Sequence, residues 1–169
     1  MRRTISLIIV FMLMVASTCL AKDVDVIYHD DHVLSPTEVA IGGVCVGMSE
    51  NEVRKIYGAP TYETEYKPDY MVGGKTKTIK YGDSFIIAIN DGYVLDITSN
   101  AHNGLKMPSG IQVGDIKAKI LPAYGKPWRY FESSKDYSSH FVYKSSDNVH
   151  LAFVVKGGVI TNISIIGYE

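Results

Sequence analysis

Cysteine is nearly missing from this chain: 169 residues contain two, Cys19 and Cys45. With Cys19 in a leader that is expected to be removed, Cys45 stands alone. No intramolecular disulfide can then brace the fold, and stability must come from packing. Cys45 lies in an apolar stretch with no His or Asp beside it, which reads as a small buried hydrophobe rather than a nucleophile. An excess of basic charge is also missing. Seventeen Lys and Arg stand against eighteen Asp and Glu, a formal net charge of −1, and no basic block reads as a nucleic-acid footprint. Beyond the first twenty residues no segment is apolar enough for a membrane helix. The glycine pairs Gly42-Gly43, Gly73-Gly74 and Gly157-Gly158 lack the Lys-Ser/Thr or Rossmann context of a phosphate cradle and read as turns. No cofactor is implied.

What the chain does have begins at its start. Arg2 and Arg3 precede an apolar run from Ile5 to Ala16, and small residues follow before Lys22, the layout of a secretory signal peptide over residues 1–21. The expected address is therefore extracytoplasmic, periplasmic or secreted. Membrane association would follow only if Cys19 were lipidated. The preceding Ala16-Ser17-Thr18 lacks the Leu-like residue and the small Gly or Ala of a good lipoprotein site.

A repeat is the most informative feature. Gly43 to Pro60 and Gly110 to Pro127 align at an offset of 67 with six identities in 18 positions: Gly43/Gly110, Val46/Val113, Gly47/Gly114, Tyr57/Tyr124, Gly58/Gly125 and Pro60/Pro127. Average composition would give about one. Farther on, residues 85–92 and 94–98 align with 151–158 and 160–164 at an offset of 66. Two blocks at nearly one offset argue for duplication of a whole unit, giving a lead-in at 22–42, repeat 1 at 43–105 and repeat 2 at 106–169.

Each shared residue has a physical task. Gly47 supplies the backbone freedom for a sharp turn into a helix. Ser49 with Glu52 makes a capping box, Val53, Ile56 and Tyr57 share a face, and Gly58 with Pro60 ends the helix. In the second copy Asp115 is the expected cap with Ile116, Ile120, Ala123 and Tyr124 inward, and Pro122 should shorten the helix. After each Gly-x-Pro the period changes to that of strands. Runs at 76–81, 85–90 and 93–99, with Asp91-Gly92 as a hairpin signal, match runs at 139–144, 149–156 and 159–166, and a strand can follow each proline near 61–66 and 128–132. The expected fold class is α+β: two tandem repeats of a helix plus an antiparallel β-meander, with helices on one sheet face. Joining the two sheets edge to edge would remove two exposed edges.

The segment Val46-Gly-Met-Ser-Glu-Asn-Glu-Val53 followed by Tyr57-Gly-Ala-Pro60 and then a meander resembles the β-lactamase inhibitor protein-like superfamily and the related small outer-membrane assembly lipoprotein (SmpA/OmlA) domain. The resemblance covers most of the chain after residue 21. It implies a sheet packed with helices, a tandem duplication as in the inhibitor protein, and a binding or assembly role in the envelope or outside the cell. It carries over no catalytic residues.

For sites, the aromatics carry the most weight. Tyr62, Tyr66, Tyr70, Trp128, Tyr130, Phe131 and Tyr137 follow the two Gly-x-Pro stops, and such stiff amphipathic side chains concentrate at interfaces, although they also pack ordinary sheets. They are the expected contacts to a protein partner, whose identity the sequence leaves open. The alternative uses Tyr28-His29-Asp30-Asp31-His32 for a metal or an enzymatic centre, but adjacent residues of an extended chain point to opposite sides. His102, His140 and His150 stand without Asp or Ser at a triad-like spacing. Small-ligand binding on the open sheet is a third reading. The expectation is thus an exported, non-enzymatic binding or envelope-assembly protein.

Overall fold

The computed structural model describes residues 24–27, 32–146 and 148–167. The segment 1–21 read as a signal peptide, Cys19 within it, and residues 28–31 of the His/Asp cluster lie outside them.

The helix that the capping box announces forms as α1, Glu50–Tyr57. Ser49 Oγ accepts from the Glu52 amide at 3.3 Å, and the Glu52 carboxylate accepts from the Ser49 amide at 3.0 Å. Such caps satisfy amides that the first turn would leave unpaired. Gly58 closes the helix at φ 77°, a conformation that costs glycine little. Val53 is buried, but Ile56 is half exposed, so the inward face is narrower than its apolar residues suggest. The second helix, α2, Ile120–Tyr124, is shorter still and follows a 3-10 turn at Lys117–Lys119. Here Asp115 does not cap: its carboxylate takes the Gln112 amide at 3.0 Å and pairs with Lys119. Ile116 and Ala123 are exposed, leaving Ile120 and Tyr124 to bury.

The strands are β1 Val24–Ile27, β2 Tyr62–Glu63, β3 Lys67–Pro68, β4 Lys75–Tyr81, β5 Phe85–Asn90, β6 Tyr93–Ser99, β7 Arg129–Ser133, β8 Ser138–Ser146, β9 Val149–Lys156 and β10 Val159–Gly167. They form one ten-stranded antiparallel sheet in the order β1-β7-β8-β9-β10-β6-β5-β4-β2, with β3 also on β4. The last strands of the two meanders, β6 and β10, meet at the centre. Across that seam Ile163 faces Ser99, Ser164 faces Thr98 and Ile165 faces Ile97. The lead-in is part of the sheet: β1 pairs with β7, and Leu34, Val39 and Ile41 enter the core.

Cross-strand partners share a face, so the register sorts the side chains. Tyr81, Phe85, Ser99, Ile163, Phe153, Phe141 and Tyr130 follow one another from strand to strand on one side. Both helices lie on that side, because Tyr57 packs on Tyr81 and Phe85 with ring centroids at 5.1 and 5.2 Å, and Tyr124 on Tyr143 and Phe153 at 5.5 and 5.4 Å. The buried residues make one cluster that runs through both meanders.

Residues 66 or 67 apart make like contacts. The Gly47 amide donates to Val94 and the Gly114 amide to Ile160, both at 2.8 Å; the Val94 and Ile160 amides return bonds to Met48 and Asp115 at 2.8 Å. Tyr57 Oη donates to the Gly42 carbonyl at 2.5 Å, while Tyr124 Oη meets Ser109 Oγ at 2.8 Å. Tyr81 Oη and Tyr143 Oη, 62 residues apart, likewise donate to the Gly58 and Gly125 carbonyls at 3.1 and 3.0 Å. Even the sheet irregularities correspond: Leu95 is skipped in the β5–β6 register and Thr161 in the β9–β10 register.

Candidate functional site

Among the described residues, the opposite face of the sheet carries no helix. One row across it reads Tyr62, Lys80, Ile86, Thr98, Ser164, Ala152, Val142, Arg129, and another Thr78, Ala88, Asp96, Ile166, His150, Lys144. Apart from exposed Tyr62, each of these is half-buried, as expected of side chains shielded only by their neighbours. Thr98 and Ser164 hydroxyls meet at 3.2 Å at the centre.

Aromatic and imidazole rings concentrate on the β7–β9 part of this face. Trp128 stacks on His150 with centroids 5.4 Å apart and planes 2° from parallel, and Lys144 Nζ sits 4.7 Å from the Trp128 ring centre. Phe131 stacks on His140 at 4.2 Å, and the Arg129 guanidinium lies 5.2 Å from the Phe131 ring centre. Arg129 is held from behind by Asp25 of β1, Nε to Oδ1 at 2.9 Å. Trp, Arg and aromatic side chains of this kind supply most of the energy at protein interfaces.

The seven expected contact residues do not converge. Trp128 and Phe131 lie on the uncovered face close to one another in sequence, and Tyr62 lies on the same face at the far edge with Lys80 Nζ 5.3 Å from its ring centre. Tyr130, next to Phe131 in an extended strand, points to the helix side and packs edge-on against Phe141 at 5.0 Å; its hydroxyl bonds Glu132. Tyr66 also lies on the helix side. Its hydroxyl donates to Glu50 at 3.1 Å, in a network where Glu50 and Glu63 each bind both Arg54 and Lys77 at 2.6–3.3 Å. Desolvation lowers the charge tolerance of Glu50, but Lys77 and Arg54 outweigh it and keep its carboxyl below the usual range. Tyr70 and Tyr137, 95% and 83% exposed, sit on loops at opposite ends of the sheet. Tyr70 neighbours the turn that leads into β6 and Tyr137 the turn that leads into β10, and β6 and β10 are antiparallel.

His140 and His150 were without partners in the sequence, yet they complete the two stacks. Burial is the main reason both imidazoles titrate below the ordinary value, with Lys144 adding to the effect at His150. The sign follows. Above about pH 6.5 these rings are neutral in both folded and unfolded chains. Below it the unfolded chain takes up protons that the folded face resists, so stability is lost as the pH falls. Thermal midpoints should decline from pH 7 to pH 5, and the double variant His140→Asn, His150→Asn should flatten that slope. An unchanged slope would mean the rings titrate freely.

Among the described residues no group of three His, Cys, Asp or Glu could hold a metal ion. His32 is the one residue of the His/Asp cluster at 28–32 that is described beyond this, and it is exposed. No helix of the described residues is long and apolar enough to cross a membrane.

The chain matches no known family model and no curated protein sequence. Among solved structures its fold is similar to that of a cysteine-rich secretory protein (SAV1118) from Staphylococcus aureus subsp. aureus Mu50. The TM-score is 0.50 at 15% identity, covering 80% of this chain and 50% of that one, so the chain spans half that protein's length. An extracellular protein containing a SCP domain from Bacillus anthracis str. Ames matches with TM-score 0.47 at 8% identity, covering 84% and 50% of the two chains. A candidate beta-lactamase inhibitor protein from Streptococcus mutans matches with TM-score 0.31 at 12% identity, covering 78% and 92%. At these identities the first likeness is one of fold alone.

Proposed function

We propose that this is an exported, non-enzymatic binding protein, one unit used twice, which offers the helix-free sheet face to a protein partner. The observation that carries the reading is the uncovered face itself, with Trp128/His150 and Phe131/His140 stacked on it and Arg129 and Lys144 beside the rings. Duplication is supported by the seam: with an offset of 66, Thr98 is the counterpart of Ser164, and these two face each other, while Ile97 faces the counterpart of Ser99. A local two-fold axis through that pair follows. Export is supported by the leader-like start of the sequence, and the fold shared with a secretory protein is in keeping with it. A binding role suits a broad surface whose charged and ring-bearing side chains are already engaged with one another, ready to be desolvated together.

Affinity capture from the envelope and medium of the parent cells tests it. The intact protein should retain a protein that the double variant Trp128→Ala, Phe131→Ala loses, while Lys55→Ala on exposed α1 retains it. Both variants should melt within a few degrees of the parent. Equal capture by all three proteins, or unfolding caused by the ring deletions, would overturn the assignment of this face.

A further inference from the structure

The offset of 67 that relates the two helices runs on into an exposed dipeptide. Tyr70 and Tyr137 each stand ten residues after the proline of their Gly-x-Pro stop, and each follows an aspartate, Asp69 and Asp136. Both pairs sit in the connection after the first strands of their meander, at 69–74 between β3 and β4 and at 134–137 between β7 and β8. The connections differ in length, yet each keeps the pair. Burial does not account for the tyrosines, which are 95% and 83% exposed. Tyr137 also takes φ 54°, a region that favours glycine, so a bulky ring is held where a smaller residue would cost less. The aspartates brace the connections: Asp69 Oδ1 accepts from the Met71 amide at 2.9 Å, and Asp136 accepts from Ser138 Oγ at 2.7 Å and pairs with Lys156 at 2.9 Å.

We infer that the two tyrosine tips are equivalent contact points for a polysaccharide, which each half of the chain holds once. Size comes first. A tyrosine offers about 150–250 Å², while a specific protein interface takes about 800 Å² from each partner. Each tip is thus scaled to one unit of a polymer and not to a protein surface. Spacing comes next. Strands β4 and β8 are five positions apart in the sheet, about 24 Å, and the tips lie at opposite ends of the strands, a further ~23 Å. No small molecule reaches both, whereas a repeating ligand does. Charge decides the kind of polymer. Lys67 and Lys75 with Asp69 and Asp91 stand around the first tip, and Lys135 and Lys156 with Asp136 around the second. Both signs of charge beside a ring with its own hydroxyl suit a ligand with apolar ring faces and a rim of hydroxyls, which donate and accept. A weak contact used twice becomes a strong one on a ligand that repeats, which gives the duplication a use.

Washed envelopes of the parent cells are the probe, with binding of the intact protein read by co-sedimentation. Saturable binding is expected that survives digestion of the envelopes with protease and is lost once periodate has cleaved their vicinal diols. Tyr70→Ser and Tyr137→Ser should each weaken it by at least about a hundredfold, since a double grip becomes a single one. The two together should abolish it, whereas Tyr70→Phe with Tyr137→Phe, which keeps both rings, should retain most of the affinity. All these variants should melt within a few degrees of the parent, because the side chains are exposed. Binding that protease removes would identify a protein and overturn the inference. So would binding that survives periodate, no saturable binding, or a loss confined to one of the two tyrosines. On protease-treated envelopes the Trp128→Ala, Phe131→Ala variant should bind like the parent, and the tyrosine variants should leave protein capture by the helix-free face intact, so the two readings fail separately.

Discussion

Phe153→Ala should cost the fold about 3–5 kcal/mol, as truncation of a fully buried aromatic does when its surroundings collapse only in part. The ring has no exposure and is wedged between Tyr124 and Tyr143 at 5.4 and 6.2 Å, with Phe141 as its cross-strand partner. It links α2 to the sheet, and α2 is too short to hold itself. Against a total stability of about 5–15 kcal/mol, the variant should be partly unfolded at physiological temperature. Urea titration measures it. Phe131→Ala supplies the control: the same ring type on the uncovered face should cost under about 1.5 kcal/mol, mostly the lost stack. Equal costs for the two would mean that the uncovered face is as deeply packed as the core.

Much of this arrangement was legible because it is local. The capping box at Ser49 and Glu52 and the helix stop at Gly58 need only neighbours in sequence; the box forms as expected, and Gly58 ends the helix at positive φ, though with ψ −151° in place of the left-handed cap. Strands β5, β6 and β9 occupy 85–90, 93–99 and 149–156, the ranges that alternation and turn residues indicate. Asp91 takes the positive φ, 43°, that the Asp-Gly hairpin requires. Helix faces were read less well. Ile56, Ile116 and Ala123 continue an apolar pattern, but helices of one or two turns present a single ridge to the sheet, and these residues fall outside it.

The candidate site was half legible for the same reason. Composition pointed to the aromatics after each Gly-x-Pro, but not to the side each would take. One signal was available: Tyr130 and Phe131 are consecutive in a strand and must point to opposite faces. Carrying the alternation through the β8–β9 hairpin would also have put His140 and His150 on Phe131's side. What no local rule could supply is the pairing of β1 with β7, which brings Asp25 to Arg129 across 104 residues. The apolar groove beside α2 is non-local too, since Leu121, Tyr130 and Phe141 of its wall come from three elements.

The central seam makes the most demanding claim, that neither half holds its fold without the other. Ile165 has no exposure; it faces Ile97 across the β6–β10 seam and Leu151 on β9, both equally buried. Ile165→Asp removes the buried isoleucine and puts a carboxyl among aliphatic side chains with no donor beside it. Loss of the apolar packing and desolvation of the polar group together should cost about 3–8 kcal/mol. The manner of failure is more telling than its size. One apolar cluster runs through Ile79, Ile87 and Ile97 of the first meander and Leu151, Phe153 and Ile163 of the second, with Leu34 and Met107 from the connecting segments. Small domains with a single core unfold as one unit. Hydrogen exchange should therefore show β5 and β9 losing protection together in this variant, although β5 is two strands from the substitution. Protection that survives in residues 43–105 while 106–167 exchange freely would show two cores that merely touch, because a charge placed on one side of a shared core leaves no separate interior for the other half to keep.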